Sequence, residues 1–231
     1  RGESLGQQLR RLGRMQVDEA VLIAQHALTS LEEAHDKGIV HRDLKPDNLF
    51  LVRGGSDASA STQVLCKVVD FGIAKLHPDM APMDAIETQA GAVFGTPRYM
   101  SPEQAQGHPL DARSDLYSLS LILYHMLAGR PPFTEDDAVV VMAAHIRSAP
   151  PPLLDLVPEL AAFPRVLALV TRGLAKRPED RPVSAAQYRA LLLEAYQADV
   201  GSRGVAGRVM SVMRALWARR RQQIAWGAAA A

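Results

Sequence analysis

The sequence predicts an α+β protein that is mainly helical and carries a small insert of short strands. Residues 18–35 repeat apolar side chains at three- and four-residue steps, which is the pattern of an amphipathic helix. Asp115–Leu127 is apolar on nearly every side and therefore has the character of a buried central helix. Short β-like runs lie between these two segments.

The first predicted helix spans Asp18–His35, and Gly38 stands where such a helix would end. The chain starts at Arg1, inside a segment with a helix-like pattern and without an initiator methionine, so we expect a truncated start. The β-like runs that follow form a small hairpin region around a loop over 53–63 that is rich in glycine and serine. They are Ile39–Val40, Leu49–Val52 and Val64–Val69.

After residue 75 the sequence predicts a long loop followed by several helices. Residues 76–98 show little periodicity and contain proline and glycine, which is typical of a long functional loop. The central helix ends at Gly129. Thr134, followed by three acidic residues, resembles a capping box that opens a helix through about Ile146. Two further helices are predicted over Pro164–Ala175 and Ser184–Ala198.

Composition excludes several classes of protein. The 231 residues, 48% of them hydrophobic, can bury a single core, so disorder is not expected. Cys66 is the single cysteine, so no internal disulfide can form, and we expect the reducing conditions of the cytoplasm. The formal net charge is +1, but six arginines and no acidic residue lie in residues 201–231, so the body is mildly acidic. We expect no nucleic-acid partner.

Three motifs in order carry the chemistry. They are His41-Arg42-Asp43-Leu44-Lys45-Pro46-Asp47-Asn48, then Asp70-Phe71-Gly72, then Ser101-Pro102-Glu103. Each triplet alone is weak, but this order and spacing resemble the catalytic loop, the magnesium motif and the end of the activation loop in protein kinases. The chain is identified as a member of the bacterial eukaryotic-like (Hanks-type) serine/threonine kinases. The resemblance implies a protein-kinase-like α+β fold, here a mainly helical C-terminal lobe with short β-hairpins.

The resemblance also implies roles in phosphoryl transfer from ATP to protein substrates. Asp43 would accept the proton of the substrate hydroxyl, and Lys45, whose position is typical of serine/threonine kinases, would reach the γ-phosphate. Asn48 and Asp70 would bind Mg²⁺, which takes oxygen ligands. Thr96 would hydrogen-bond Asp43 and Lys45.

Other positions are matched to nucleotide binding, regulation and architecture. Phe50 resembles the floor of the adenine pocket, and Glu3 lies where some kinases contact the ribose. Phosphorylation of Thr88 would order the activation loop through Arg42 and Lys75, against the alternative that Thr88 is an ordinary loop residue. The structural residues implied are His41 packed on Phe71, Glu103 paired with Arg181, and Asp115 bracing the catalytic loop.

The plainer interpretation makes Asp43 and Asp70 surface carboxylates that cap turns. We expect instead that the apolar runs beside them bury both, which is costly for a carboxylate that binds no cation. His41 could act as a general base, but the resemblance favours a structural role. His35 is expected to be a buried residue at a helix end rather than a metal ligand.

Two other classes of protein are alternatives to an active protein kinase. A pseudokinase scaffold should have lost Asp43, Asn48 or Asp70, and a small-molecule phosphotransferase should lack Lys45 and the segment 96–103, whereas the chain has all of them. A glycine-rich loop and a Val-Ala-Ile-Lys strand are absent from the sequence. We expect this ATP-covering N-terminal lobe to precede Arg1, and residues 1–231 to be inactive without it.

The predicted domain limits are 1–197 for the kinase lobe and 198–231 for a basic tail. In the tail, Arg219-Arg220-Arg221 precede Trp226 and an apolar end, an order typical of a segment that enters a membrane helix. A span beginning beyond residue 223, a basic helix on the membrane surface and a solvated tail all stay open. The sequence is also compatible with a homodimer.

Overall fold

The computed structural model of the chain describes residues 2–54, 63–71 and 97–202. Within that part three strands form one sheet: β1 (Gly2–Ser4), β2 (Leu49–Gly54) and β3 (Gln63–Val68). The helices are α1 (Leu5–Leu12), α2 (Val17–His35), α3 (Pro102–Ala105), α4 (Ala112–Ala128), α5 (Ala138–Arg147), α6 (Leu153–Leu156), α7 (Pro164–Gly173) and α8 (185–202). Three short 3₁₀ turns cover Pro46–Asn48, Pro158–Ala162 and Pro178–Asp180. The mainly helical fold with a small sheet confirms the predicted class.

The sheet is antiparallel, and one of its three strands, β1, was not predicted from the sequence. β2 lies in the centre, with Glu3 of β1 opposite Leu51 and Val68 of β3 opposite Leu49. The helix-like pattern expected at the start of the chain is therefore wrong for Gly2–Ser4, which is extended. Ser4 then caps α1, because its hydroxyl accepts from the Gln7 amide at 3.1 Å and its own amide donates to the Gln7 side chain at 2.9 Å.

The strand predicted at Ile39–Val40 is not formed. The Ile39 amide donates to the carbonyl of Ala34 at 2.9 Å, and Gly38 has a φ of 73°. This is the closing turn that commonly ends a helix with a left-handed glycine. The apolar Ile39 therefore belongs to the end of α2 and not to a strand.

α4 is the centre of the helical body. Its leucine, isoleucine and methionine side chains are fully buried, and it packs against α2, α6 and α7. Each leucine or isoleucine removed from water in this way stabilises the fold by about 2 kcal/mol. Gly129, with a φ of 79°, ends the helix where the sequence predicted. The prediction of a buried central helix is confirmed.

α5 begins later than predicted, and a different residue caps it. The carboxylate of Asp137 accepts hydrogen bonds from the amides of Val139, at 2.7 Å, and Val140, at 3.4 Å. Thr134 lies three residues before this cap, in the exposed segment that leads to the helix. The predicted capping box at Thr134 is therefore wrong, although a helix does follow it.

α7 and α8 are joined at their ends by one buried carboxylate. Asp199 of α8 is fully buried and accepts from the backbone amides of Arg165 and Val166, both at 3.0 Å. The boundary predicted after residue 197 lies inside α8, which is helical to residue 202. The basic tail beyond residue 202 lies outside the described residues. Among the described helices, none combines the length and the apolar character needed to cross a bilayer.

The capping of α5 leads to a stability prediction. Asp137→Ala removes the acceptor for the first amides of the helix and should lower the free energy of unfolding by about 1 kcal/mol. Thr134→Ala, the matched control, should change it by less than about 0.5 kcal/mol. Urea denaturation of both variants checks this. Equal losses in the two variants would contradict the assignment of the cap.

Candidate active site

The catalytic-loop and magnesium motifs both contain a residue with strained backbone. Apart from glycines, the described residues with positive φ are Arg42, at 65°, and Asp70, at 57°. Such values are uncommon for residues that carry a Cβ, and they persist where the surrounding structure holds them. The two turns flank the predicted site.

A buried carboxylate fixes the first of these turns. Asp115, near the start of α4, accepts from the backbone amides of His41, at 2.8 Å, and Arg42, at 3.0 Å. The ring nitrogen Nε2 of His35 lies 2.8 Å from the same carboxylate. Asp115 thus braces the loop backbone as predicted, and His35 is a partner of this carboxylate at the end of α2.

His41 connects the loop to the strand that leads to Asp70. Its side chain is fully buried, with Nε2 at 3.0 Å from the carbonyl of Val69 and Nδ1 accepting from the amide of Asp43 at 3.3 Å. These bonds use both ring nitrogens, with the proton on Nε2. The ring centroid lies 4.8 Å from that of Phe71, the contact that the sequence predicted.

Three predicted catalytic residues lie together on the loop. The Lys45 ammonium lies 2.8 Å from the carboxylate of Asp43, and both side chains are 42% exposed. The amide nitrogen of Asn48 donates to the backbone carbonyl of Asp43 at 2.8 Å. This bond leaves the amide oxygen of Asn48 as the atom that can bind a cation.

The strands bring Asn48 and Asp70 to the same end of the sheet. The amide of Val69 donates to the carbonyl of Asn48 at 2.9 Å, and Asp70 follows directly. Both offer oxygen ligands of the kind that Mg²⁺ prefers, and two such protein ligands are typical where phosphates complete the coordination. The residues present therefore fit this ion.

The expected burial of the two aspartates is wrong. Asp70 is exposed and Asp43 is partly exposed, whereas Leu44 next to Asp43 is buried and Val69 next to Asp70 is half-buried. The turns at Arg42 and Asp70 leave the carboxylates on the solvent side, and the run before Asp70 is itself only partly buried. Their accessibility suits groups that meet a substrate and a cation, but the argument from buried carboxylates does not hold.

The predicted nucleotide contacts lie on the small sheet. Phe50, on β2, is 37% exposed, and its ring lies against Gly2 of β1. Glu3 forms an ion pair with Arg11 at 2.6 Å at the edge of the same sheet. The predicted residues Lys75, Thr88 and Thr96 lie outside the described residues, as does Gly72.

The ion pair predicted between Glu103 and Arg181 is present and bidentate, with distances of 2.7 and 2.8 Å. The guanidinium is fully buried, and its remaining N–H groups donate to the carbonyls of Arg113, Ala175 and Lys176. All five donors are thereby satisfied. Burial alone would raise the pKa of Glu103, but the hydrogen bonds and charge of Arg181 hold that pKa below its usual value.

Gln104 is a site residue that the sequence analysis missed. Its side-chain nitrogen donates to the carbonyl of Arg42 at 2.6 Å, and its side-chain oxygen accepts from the amide of Ser101 at 3.0 Å. It therefore ties α3 to the strained turn of the catalytic loop. The spacing of Ser101 and Gln104 is that of a capping box, which is the signal that could have found the local half of this role.

Lys176 was also missed, and it holds the end of α5. Its ammonium donates to the carbonyls of His145, at 2.8 Å, and Ala144, at 3.3 Å, and lies 5.2 Å from the centre of the Phe133 ring. Burial, together with the nearby charge of Arg181, lowers its pKa to about 8. No local sequence pattern marks a lysine that caps a distant helix.

Comparison with known proteins decides the family. The model of the protein kinase domain matches residues 1–190. The chain belongs to the protein kinase family. It is 40% identical to the serine/threonine-protein kinase pkn3 of Myxococcus xanthus over 191 residues, which are 83% of this chain and 34% of that protein. It is also 40% identical to PknB of Mycolicibacterium smegmatis over 182 residues, which are 77% of this chain and 26% of that protein.

The likeness extends to a solved kinase domain. The crystal structure of the Mycobacterium tuberculosis PknI kinase domain superposes with a TM-score of 0.58 at 26% identity, covering 85% of this chain and 63% of that one. The chain spans 34% or less of the length of these two curated kinases. The bacterial, eukaryotic-like kinase assignment made from the motifs is confirmed.

The buried arginine leads to a second stability prediction. Arg181→Lys keeps the charge but has fewer donors, so the Glu103 carboxylate and buried carbonyls lose partners. The free energy of unfolding should fall by about 3 kcal/mol. Urea denaturation measures it. The control Arg177→Lys, at an exposed ion pair with Asp180, should lose less than about 0.5 kcal/mol. A loss at Arg181 as small as this would contradict the role.

Proposed function

We propose that this chain is the C-terminal lobe of a longer serine/threonine protein kinase that transfers the γ-phosphoryl group of ATP to hydroxyls of protein substrates. The observation that supports it most is the placement of Asp43 and Lys45, 2.8 Å apart, on a loop that also presents Asn48 and adjoins Asp70. Residues 1–197 are proposed as the lobe. The phosphate-covering lobe is proposed to come from sequence before Arg1.

The proposed mechanism depends on position and charge more than on covalent chemistry. Asp43 is the proposed acceptor of the hydroxyl proton, and its partly exposed carboxylate is accessible to a substrate. Lys45 holds that carboxylate by an ion pair and is long enough to meet the transferred phosphoryl group. Thr96 is proposed to hydrogen-bond both residues.

Asn48 and Asp70 are the proposed magnesium ligands. Bound Mg²⁺ would neutralise charge on the phosphate oxygens. Asn48 is oriented for this by its hydrogen bond to the carbonyl of Asp43. Phe50 is the proposed floor for the adenine, because an exposed aromatic ring on a sheet can pack against a flat base. Glu3 is the proposed ribose contact, in exchange with its ion pair to Arg11.

The experiment separates the two aspartates in the full-length protein. Asp43→Asn should lower phosphoryl transfer at least about 100-fold with little change in nucleotide affinity, because only the proton acceptor is lost. Asp70→Asn should weaken Mg-ATP binding as well. Kinase assays with titration of a fluorescent nucleotide measure both. The exposed control Asp36→Asn should leave both unchanged, and an equal fall of nucleotide affinity in the two site variants would refute the roles.

We further propose that the kinase lobe lies on the cytoplasmic side and that residues 198–231 lead to a membrane. The support is the order of the tail sequence, in which six arginines precede Trp226 and an apolar end. Anchoring predicts that the full-length protein, expressed in its own cells, sediments with membranes and resists both high salt and alkaline carbonate. Release by the washes would leave only surface attachment, and recovery in the soluble fraction would refute anchoring.

A further inference from the structure

A groove of about 380 Å³ runs between α7 and α8. Both helices line it with residues spaced i, i+3, i+4 and i+7, which is the spacing of one helix face. On α8 these residues are Leu191, Glu194, Ala195 and Ala198, and on α7 the row extends from residue 165 to residue 172. The groove therefore follows both helices for about two turns.

The floor of the groove is apolar and has small side chains. Leu191, Ala195 and Ala198 are half-buried, and Ala168 of α7 is exposed, so the groove is open to solvent. Alanines on both helices leave room for a third backbone, because the side chains at the contact set the distance between packed helices. A surface of this shape and polarity suits the apolar face of an amphipathic helix.

The charged residues at the rim of the groove balance one another. The guanidinium of Arg165 lies 3.3 Å from the buried carboxylate of Asp199, which neutralises it. Arg172 donates to the backbone carbonyl of Asp180 at 3.4 Å and keeps its charge. Glu194 is exposed and forms no ion pair with any residue that the structure describes. Its carboxylate is therefore free to accept a cation beside the apolar floor.

The sequence that follows α8 contains an amphipathic segment of the kind that fits this groove. α8 ends at residue 202, about one turn after Ala198, and the residues beyond it lie outside the described part of the chain. Gly201 and Gly204 occur at this point, and glycine is typical of helix ends and turns. Apolar residues then recur at the spacing of one helix face. They are Val205, Val209, Val212, Met213 and Leu216.

The groove and this segment match in length. Leu191 and Ala198 are seven residues apart in the groove, and Val205 and Val212 are seven residues apart in the tail. Each pair spans about 10 Å at the helical rise of 1.5 Å per residue. A chain that reverses between residues 198 and 205 therefore lays the second pair along the first in the opposite order. Turns of two to five residues commonly join antiparallel helices in this way.

We propose that residues 205–216 of this chain pack as a helix into the groove between α7 and α8, antiparallel to α8. In that arrangement Arg208 comes beside Glu194, and the valines of the segment cover the alanines of the groove. The same apolar face is then not available to a membrane surface. The inference does not depend on the proposed catalysis, and it leaves the apolar end at residues 224–231 free.

The test traps the contact as a disulfide in the full-length protein. Ala195→Cys, in the groove, or Leu193→Cys, on the opposite and 44% exposed side of α8, is combined in turn with cysteine at Val205, Val209 or Val212. The two α8 positions close loops of nearly equal length, so chain entropy favours neither. During mild oxidation at least one tail position should bond to residue 195 at least about tenfold faster than to residue 193, because docking raises the effective concentration. Peptide mapping by mass spectrometry measures both rates.

A second pair of variants tests the groove itself. Ala168→Trp fills the groove from α7 and should remove the difference between residues 195 and 193. Ala161→Trp, at an exposed alanine outside the lining, should keep it.

Several results would overturn the proposal. Equal rates at the two α8 positions, faster bonding to residue 193, or no disulfide at any tail position contradicts docking in the groove. An unchanged difference in Ala168→Trp contradicts the groove as the site. A disulfide between two chains, seen as a covalent dimer, contradicts the assignment to the chain's own tail. Phosphoryl transfer activity is not a readout of this test, so its outcome is separate from that of the proposed function.

Discussion

The fully buried guanidinium of Arg181 is the contact on which the arrangement of the lobe depends. It joins Glu103 of α3, the carbonyl of Arg113 in α4 and two carbonyls of the turn after α7. A buried charge is tolerated only when its hydrogen bonds and its counter-charge are both supplied, and here they come from three different parts of the chain. Because each partner is needed at once, the pair fixes where α3 lies.

The position of α3 in turn fixes the catalytic loop. Gln104 follows Glu103 directly and donates to the carbonyl of Arg42, while Asp115 accepts from the amide of the same residue. The peptide groups on either side of Arg42 are thus held from opposite sides, which explains how the residue keeps a positive φ. The geometry of Asp43 and Lys45 therefore depends on α3 and α4 as much as on the loop itself.

The sequence predicted those elements that a periodic pattern of apolar residues encodes locally. α2 and α4 were found because their apolar side chains repeat over four or more turns, whereas the three residues of β1 are too few to show alternation. Thr134 and Asp137 are both good caps, and only packing of the following helix decides between them. The exposure of Asp43 and Asp70 was not predicted, because the apolar character of a residue indicates the burial of that residue alone. It does not indicate the direction of the adjacent side chain.

Contacts between residues far apart in sequence were predicted only where the family resemblance implied them. Glu103 and Arg181 are separated by 78 residues, and their pairing was predicted only because the motifs resemble a known family. The bonds from Gln104 to Arg42 and from Lys176 to α5 end on backbone carbonyls. Every residue has a backbone carbonyl, so the residue type at the acceptor position does not identify it as a hydrogen-bond partner.

The buried carboxylate of Asp199 has a mechanical consequence. It binds the first amides of α7 from within two turns of the last described residue of α8. Any pull on the chain after residue 202 therefore acts first on this helix-to-helix contact and, through α7, on the core around α4. A force applied to the chain after residue 202 is therefore transmitted to the helical core through α8 and α7, because the two helices are joined at this carboxylate.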